Sequence, residues 1–363
     1  MKILVGLLLF GTLSSFSVAQ KQIQVDANRN VELINMLAVQ NSAGLLKDTL
    51  TNAWYKENSV LMRISFHRFR QVQQLPIYRT YQLLEDRLGT GTYLLSLYYS
   101  EVPEAKRRTD LPNVLTEAVS QNRDSVLNAI DTFFTELNSL YKAIHFDRFL
   151  SDNEAVYRQA LVEVSRNLPA ATFIPTMESY YGETKNGYHL LINPFFQTGW
   201  GMGWEVISRT GTDIFNISSP LSKAIRGKDG RISSPGFDNR EGVRRLAVHE
   251  FGHSFVNPLA NQPAYKAQIE QFNILYEPIK GDEQYHDWHT QFCEYVVRAG
   301  EIRLALRMHN TADAKAVEQQ NSNWRYLAHF TSQLERYEQN RKLYPTFSAF
   351  FPTLIASLSS LKK

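Results

Sequence analysis

The sequence predicts an α+β fold, largely helical, with a small mixed sheet directly ahead of a helix that bears two histidines. Three observations predict it. Apolar residues recur at three and four positions from about Val31 to Arg166, as in Leu127, Ile130, Phe133-Phe134, Leu137 and Leu140-Tyr141. After Pro169 the texture changes to short apolar or aromatic runs bounded by Gly and Pro, which read as strands. From Arg240 a helical period resumes and continues, with breaks, to near the C-terminus.

The first element is a targeting signal. Lys2 precedes an apolar run from Ile3 to Phe10, and Ser17-Val18-Ala19 offers the small-x-small pattern of signal-peptidase sites. Residues 1–19 therefore read as a signal peptide, and the expected location is periplasmic or extracellular. No later run approaches the ~20 apolar residues of a membrane span, so no membrane anchor is expected. Cys293 is the only cysteine, which rules out an intramolecular disulfide and leaves stability to the core. The formal charge of +3 is near balance and gives no sign of a nucleic-acid partner.

Residues 20–168 form the helical N-terminal part, punctuated by Pro76, Pro103 and Pro112, with Ser151 or Asp152 placed to cap a helix that follows. Residues 169–363 form the second part. The N-terminal part is either an inhibitory propeptide or an integral half; without a Gly/Pro/Ser-rich linker, one integrated domain is the expectation. Ala171 to Ile174, Tyr188 to Asn193, Glu205 to Ile207 and Asp213 to Ile217 read as strands. Tyr188 to Asn193 is either an edge strand beside a cleft or an ordinary internal strand. Gly199 to Trp204 reads as a flexible aromatic loop, a rim or a packed hairpin, and Ser222 to Asn239 as a loop. Helices are expected over Arg240 to Val256, ended by Asn257-Pro258, then over Gln262 to Leu275, Asp282 to Met308, Asp313 to Tyr337 and Phe347 to Leu361.

The chemistry concentrates in His249-Glu250-Phe251-Gly252-His253. Histidines four apart on a helix project from one face and can grip a single metal ion. Glu250 lies beside them, where its carboxylate can take a proton from a water activated at that metal. A catalytic zinc takes three protein ligands and leaves one position open. The metzincin extension needs Gly at 256 and His at 259, and this chain has Val256 and Leu259. A glutamate on a later helix remains. Among Glu270, Glu277, Glu283, His286, His289, Glu294 and Glu301, Glu294 is best placed. It sits in Gln291-Phe292-Cys293-Glu294-Tyr295-Val296-Val297-Arg298-Ala299, where burial is costly unless the carboxylate is paired or metal-bound. Arg298, one turn on, can hold it, and Glu301 on the same face is the reserve ligand. Cys293 reads as a small core residue.

The run His249 to Pro258, with Glu294 to Ala299 downstream, resembles an uncharacterised family of exported bacterial proteins that carry a gluzincin-type metallopeptidase pattern. Tyr180-Tyr181-Gly182, Tyr188 to Pro194 and Phe146-Asp147-Arg148-Phe149 extend the likeness across roughly residues 28–350. The resemblance implies a zincin-like fold, His249, His253 and Glu294 as ligands of one Zn²⁺ per chain, and Glu250 as general base. It implies no particular substrate.

The expected function is therefore a secreted zinc-dependent hydrolase, foremost a metallopeptidase acting on a peptide or protein. Tyr285, His286 or His289 would supply an oxyanion donor. Two rivals stand beside it: a zinc amidase acting on a non-protein amide, and a metal-containing binding or structural protein without turnover. A purely structural site needs no Glu250, and such sites are usually cysteine-rich.

Overall fold

A computed structural model describes residues 21–45, 60–196, 198–280 and 285–361. The expected signal peptide at 1–19 and Glu283 lie outside the described residues. Among the described residues no helix is long and apolar enough to cross a membrane. The architecture is α+β: many helices around one four-stranded mixed sheet.

The strands are β1 (Ile23–Ala27), β2 (Gly187–Ile192), β3 (Gly201–Ser208) and β4 (Gly211–Ser218), in the spatial order β1-β2-β4-β3. β1 runs parallel to β2 with Ile23 opposite Tyr188, β2 runs parallel to β4, and β3 returns antiparallel along β4. Parallel neighbours need a crossover, and here the crossover from β1 to β2 is the whole N-terminal helical stretch. The segment at 20–168 is thus not wholly helical: its first residues supply an edge of the sheet. Ile23, Val25 and Ala27 alternate with Gln24 and Asp26, and half-burial follows that alternation.

The buried apolar side chains form two clusters that meet at the sheet. One joins the N-terminal helices to Leu190, Ile192, Ile217 and Val243. The other joins the C-terminal helices to Tyr188, Ile214, Ala247 and Phe251.

Several local expectations are corrected. Phe173–Tyr181 is a helix rather than a strand, and its buried Phe173, Ile174, Met177, Tyr180 and Tyr181 follow the helical period. Ser151 and Asp152 lie within the helix Phe146–Asp152, and Asn153 occupies the cap position of the next one. Tyr188 to Asn193 is internal, flanked by strands on both sides. Most of the expected Gly199 to Trp204 loop belongs to β3, the outer strand. The loop at 222–239 contains a short antiparallel pair, Ile225–Arg226 with Ile232–Ser234. The single helix expected over Asp313 to Tyr337 is two, Thr311–Gln320 and Leu327–Gln339.

Candidate metal centre

Two helices build the site. The histidine helix, Arg240–Ala260, starts where the Asn239 side chain accepts a hydrogen bond from the Gly242 N–H at 2.9 Å. It does not stop at Asn257: Pro258 lies in its last turn, where little of the helix remains to be disturbed. The glutamate helix, Trp288–Arg307, starts at Asp287, whose side chain accepts from the Thr290 N–H at 2.8 Å. Phe292, Cys293, Val296, Val297, Ala299 and Ile302 are all buried, so this helix is surrounded by core on most sides. The two helices pack against each other, and Val297 reaches Gly252 on the histidine helix.

His249, His253 and Glu294 converge as a group that could hold a metal ion. The two Nε2 atoms are 3.1 Å apart. Glu294 Oε1 is 3.2 Å from His253 Nε2, and its Oε2 is 3.5 Å from His249 Nε2. Zinc–ligand bonds of ~2.0–2.1 Å at tetrahedral angles place neighbouring donors ~3.3–3.4 Å apart, so the spacing here suits one zinc ion.

The outer ring nitrogens settle which lone pairs face inward. His249 Nδ1 lies 2.6 Å from Glu301 Oε1, and the carboxylate can only accept, so Nδ1 carries the hydrogen and Nε2 presents its lone pair. His253 Nδ1 lies 3.2 Å from Asn257 Oδ1, which fixes the same tautomer. Two lone pairs and a carboxylate facing one another repel unless a positive charge sits among them. Glu294 Oε2 is buried with no hydrogen-bond partner, although an Arg298 nitrogen lies 3.2 Å away. The donor set therefore fits a divalent cation.

The same field appears in the titration of these groups. Burial alone would lower the pKa of His249, but the charges of Glu301 and Glu294 outweigh it and push it up to about 9. Burial alone would raise Glu294, yet His249, His253 and Arg298 pull it down to about 2. Without a metal, the site retains a proton in its place.

Glu301 lies outside the group that could hold a metal ion. It orients His249 from the opposite nitrogen. Arg298 holds Glu294 as expected, and is itself fixed by Asn321 and by the Trp324 ring 4.3 Å from its guanidinium carbon. Asn321 and Trp324 carried no motif in the sequence, and Asn257 stood out there only as the end of the helix and within the run His249 to Pro258. Glu270 is exposed, and Glu277 pairs with Arg325. Cys293 is a buried free thiol whose pKa burial raises, outside the ligand group.

Glu250 is buried on the same helix, and burial raises its pKa against the pull of both histidines. β3 passes directly over it. A Cβ at Gly203 would lie 2.0 Å from the Glu250 carbonyl oxygen, and one at Gly201 would lie 2.7 Å from Glu250 Oε1. Only glycine permits that approach, and it directs the Gly203 N–H toward the Glu250 carboxylate.

A cavity of about 950 Å³ opens over these groups, with His249, Glu250, His253, Glu294 and Tyr285 in its wall. Tyr285 lies there with its hydroxyl 3.4 Å from an Arg298 nitrogen. His286 is exposed, and His289 faces the Ala260 carbonyl at 3.1 Å.

Fold and site together define an α+β protein with a two-histidine, one-glutamate cluster at the floor of a cleft. The chain belongs to the family described as Domain of unknown function (DUF4932), which matches residues 105–357. The matched span crosses from the N-terminal helices into the sheet and includes the whole cluster. No curated protein and no solved structure matches the chain.

Proposed function

We propose that this protein is an exported, zincin-like zinc hydrolase, a metallopeptidase that cuts peptide bonds. The observation that carries the proposal is the placement of Glu250. A base beside the three-donor group, in the wall of one open cavity, has no purpose in a site that only stabilises. A zinc ion held by His249, His253 and Glu294 would supply a Lewis acid that acidifies a water and polarises a carbonyl. Glu250 takes the proton of the attacking water and passes it to the leaving amine. Burial, which raises its pKa, makes it a better acceptor than a solvated carboxylate. Tyr285 is the favoured donor to the developing oxyanion, because of the three candidates it alone lines the cavity.

A peptide suits this site better than a compact amide. β3 is the outer strand of the sheet and borders the cavity from Gly201 to Gly203, where an extended chain can pair with it. The N-terminal helices are, in this reading, an integral half and not a propeptide, since they link two adjacent strands of one sheet.

The test is Glu250→Gln. It should retain about one zinc per chain and lose at least ~10²-fold in cleavage of a peptide library. The same products at the same rate from variant and wild type would remove Glu250 as the base.

A further inference from the structure

Beyond Gly203 the cleft continues into a second cavity of about 410 Å³, which shares Gly203, His253 and Asn257 with the first. Its chemistry is different. Leu111, Pro112 and Val114 close it on the side of the N-terminal helices, Trp204 and Ile207 of β3 form another wall, and Pro258 of the histidine helix contributes to its floor. Tyr98 and Trp204 bring polar tips, but these satisfy each other: the Trp204 Nε1–H donates to the Tyr98 hydroxyl at 2.8 Å. Their rings are left as apolar surface. Of the two carboxylates in the wall, Glu205 is engaged by Lys185 at 3.2 Å and Asp110 is exposed to solvent.

The edge of β3 changes character at the same point. The carbonyl of Glu205 accepts from Tyr98 and that of Ile207 accepts from Thr109 Oγ1 at 3.2 Å, so strand pairing has no acceptors free there. By the alternation of an antiparallel ladder, Gly201 and Gly203 present their groups to the same side, over the metal cluster. The Gly203 N–H is already directed to the Glu250 carboxylate, so pairing with β3 ends at Gly203, and past it a peptide meets an apolar hollow instead of a backbone edge.

We infer that this hollow is a specificity subsite, taking a large apolar or aromatic side chain of a peptide substrate at a residue next to the bond that is cut. The inference rests on the hydrolase reading and names the substrate class for it. A cavity of this size, adjoining His253 and walled by Leu, Pro, Val, Ile and two aromatic rings, gains most from a Phe or Leu side chain and rejects a charged one.

Val114 and Ile207 are 57 % and 64 % exposed at the rim, so a carboxylate can be placed at either without opening the core. The probes are a phenylalanine peptide hydroxamate and its glycine counterpart, both metal-chelating, titrated by calorimetry into the zinc-loaded protein. The phenylalanine probe should bind ~10-fold or more tightly than the glycine probe, and Val114→Asp or Ile207→Asp should bring that ratio close to one. The ratio of kcat/KM for library peptides with Phe or Gly at that position should fall in parallel. Equal binding of the two probes by wild type, or a ratio unchanged in both variants, overturns the subsite while leaving the hydrolase reading intact. Failure of both probes to bind the zinc-loaded protein overturns both.

Discussion

Two buried glutamates, one in each half of the molecule, sit in opposite electrostatic states. Glu32 lies in the N-terminal core on the helix Arg29–Leu45, and Glu294 lies on the glutamate helix; both are almost inaccessible. Among the described residues, Glu32 receives the Tyr157 hydroxyl, donating to Oε2 at 2.6 Å, while Oε1 has no hydrogen-bond partner. Burial dominates and raises its pKa to about 8. Around Glu294 stand His249, His253 and Arg298, and the same burial is overridden until its pKa is about 2. Burial of a carboxylate is thus no sign of a metal site by itself. The sign is convergence of several donors and charges on it.

The largest test of this contrast removes each carboxylate in turn. Glu294→Gln should take the purified protein from about one zinc per chain to almost none, as should His249→Ala, while Glu32→Gln should leave the metal content unchanged. Elemental analysis of the three variants decides it. Loss of zinc from Glu32→Gln alone would reverse the assignment.

The next effect is in stability. Glu32 has a folded pKa near 8 against an ordinary value of 4.5, so the native state binds the proton more tightly than the unfolded chain. Its contribution is fully present below about pH 4.5 and is lost as pH rises through about 8, an effect of order a few kcal/mol. Urea midpoints of wild type should therefore fall between pH 5 and pH 9 by more than those of Glu32→Gln, which has no proton to lose. Parallel pH profiles for the two proteins would show that Glu32 is solvated.

The smallest effect concerns the partner of a ligand. Glu301→Gln keeps a hydrogen-bond acceptor for His249 Nδ1 but removes its charge, and should weaken zinc affinity by ~10–100-fold without abolishing binding. Competition with a chelator measures it. Complete loss of metal would make Glu301 a ligand after all.

The two glutamates also show what could be read in the sequence. Glu294 stood out as an acidic residue among apolar ones, yet Val31-Glu32-Leu33-Ile34 has the same look and joins no donor group among the described residues. The discriminating signal was the histidine pair upstream, whose helical spacing has one geometric reading, and Arg298 followed at one turn. Strands β2 and β4 were legible because their apolar runs are bounded by Gly and Asn. β1 was not: five residues of alternation are too short to register, and their partner is remote in the chain. Ala171 to Ile174 was misread as a strand because a short apolar run fits both periods until its continuation to Tyr181 is counted. Gly201 and Gly203 looked like flexibility, and only the helix packed beneath them shows that they are close contacts.

The pairing of Ile23 with Tyr188 also sets an order of events as the chain is made. β1 emerges first and stays without its neighbour until Gly187–Ile192 follows, and the intervening helices must collapse before the two can meet. Closing so long a loop is slow compared with forming any helix in it. The β1 edge of the sheet is therefore completed late, whereas β3, which passes over Glu250, pairs with β4 through a tight turn and can form early. A chain arrested at that stage would hold the strand that covers Glu250 but lack β1 beside β2.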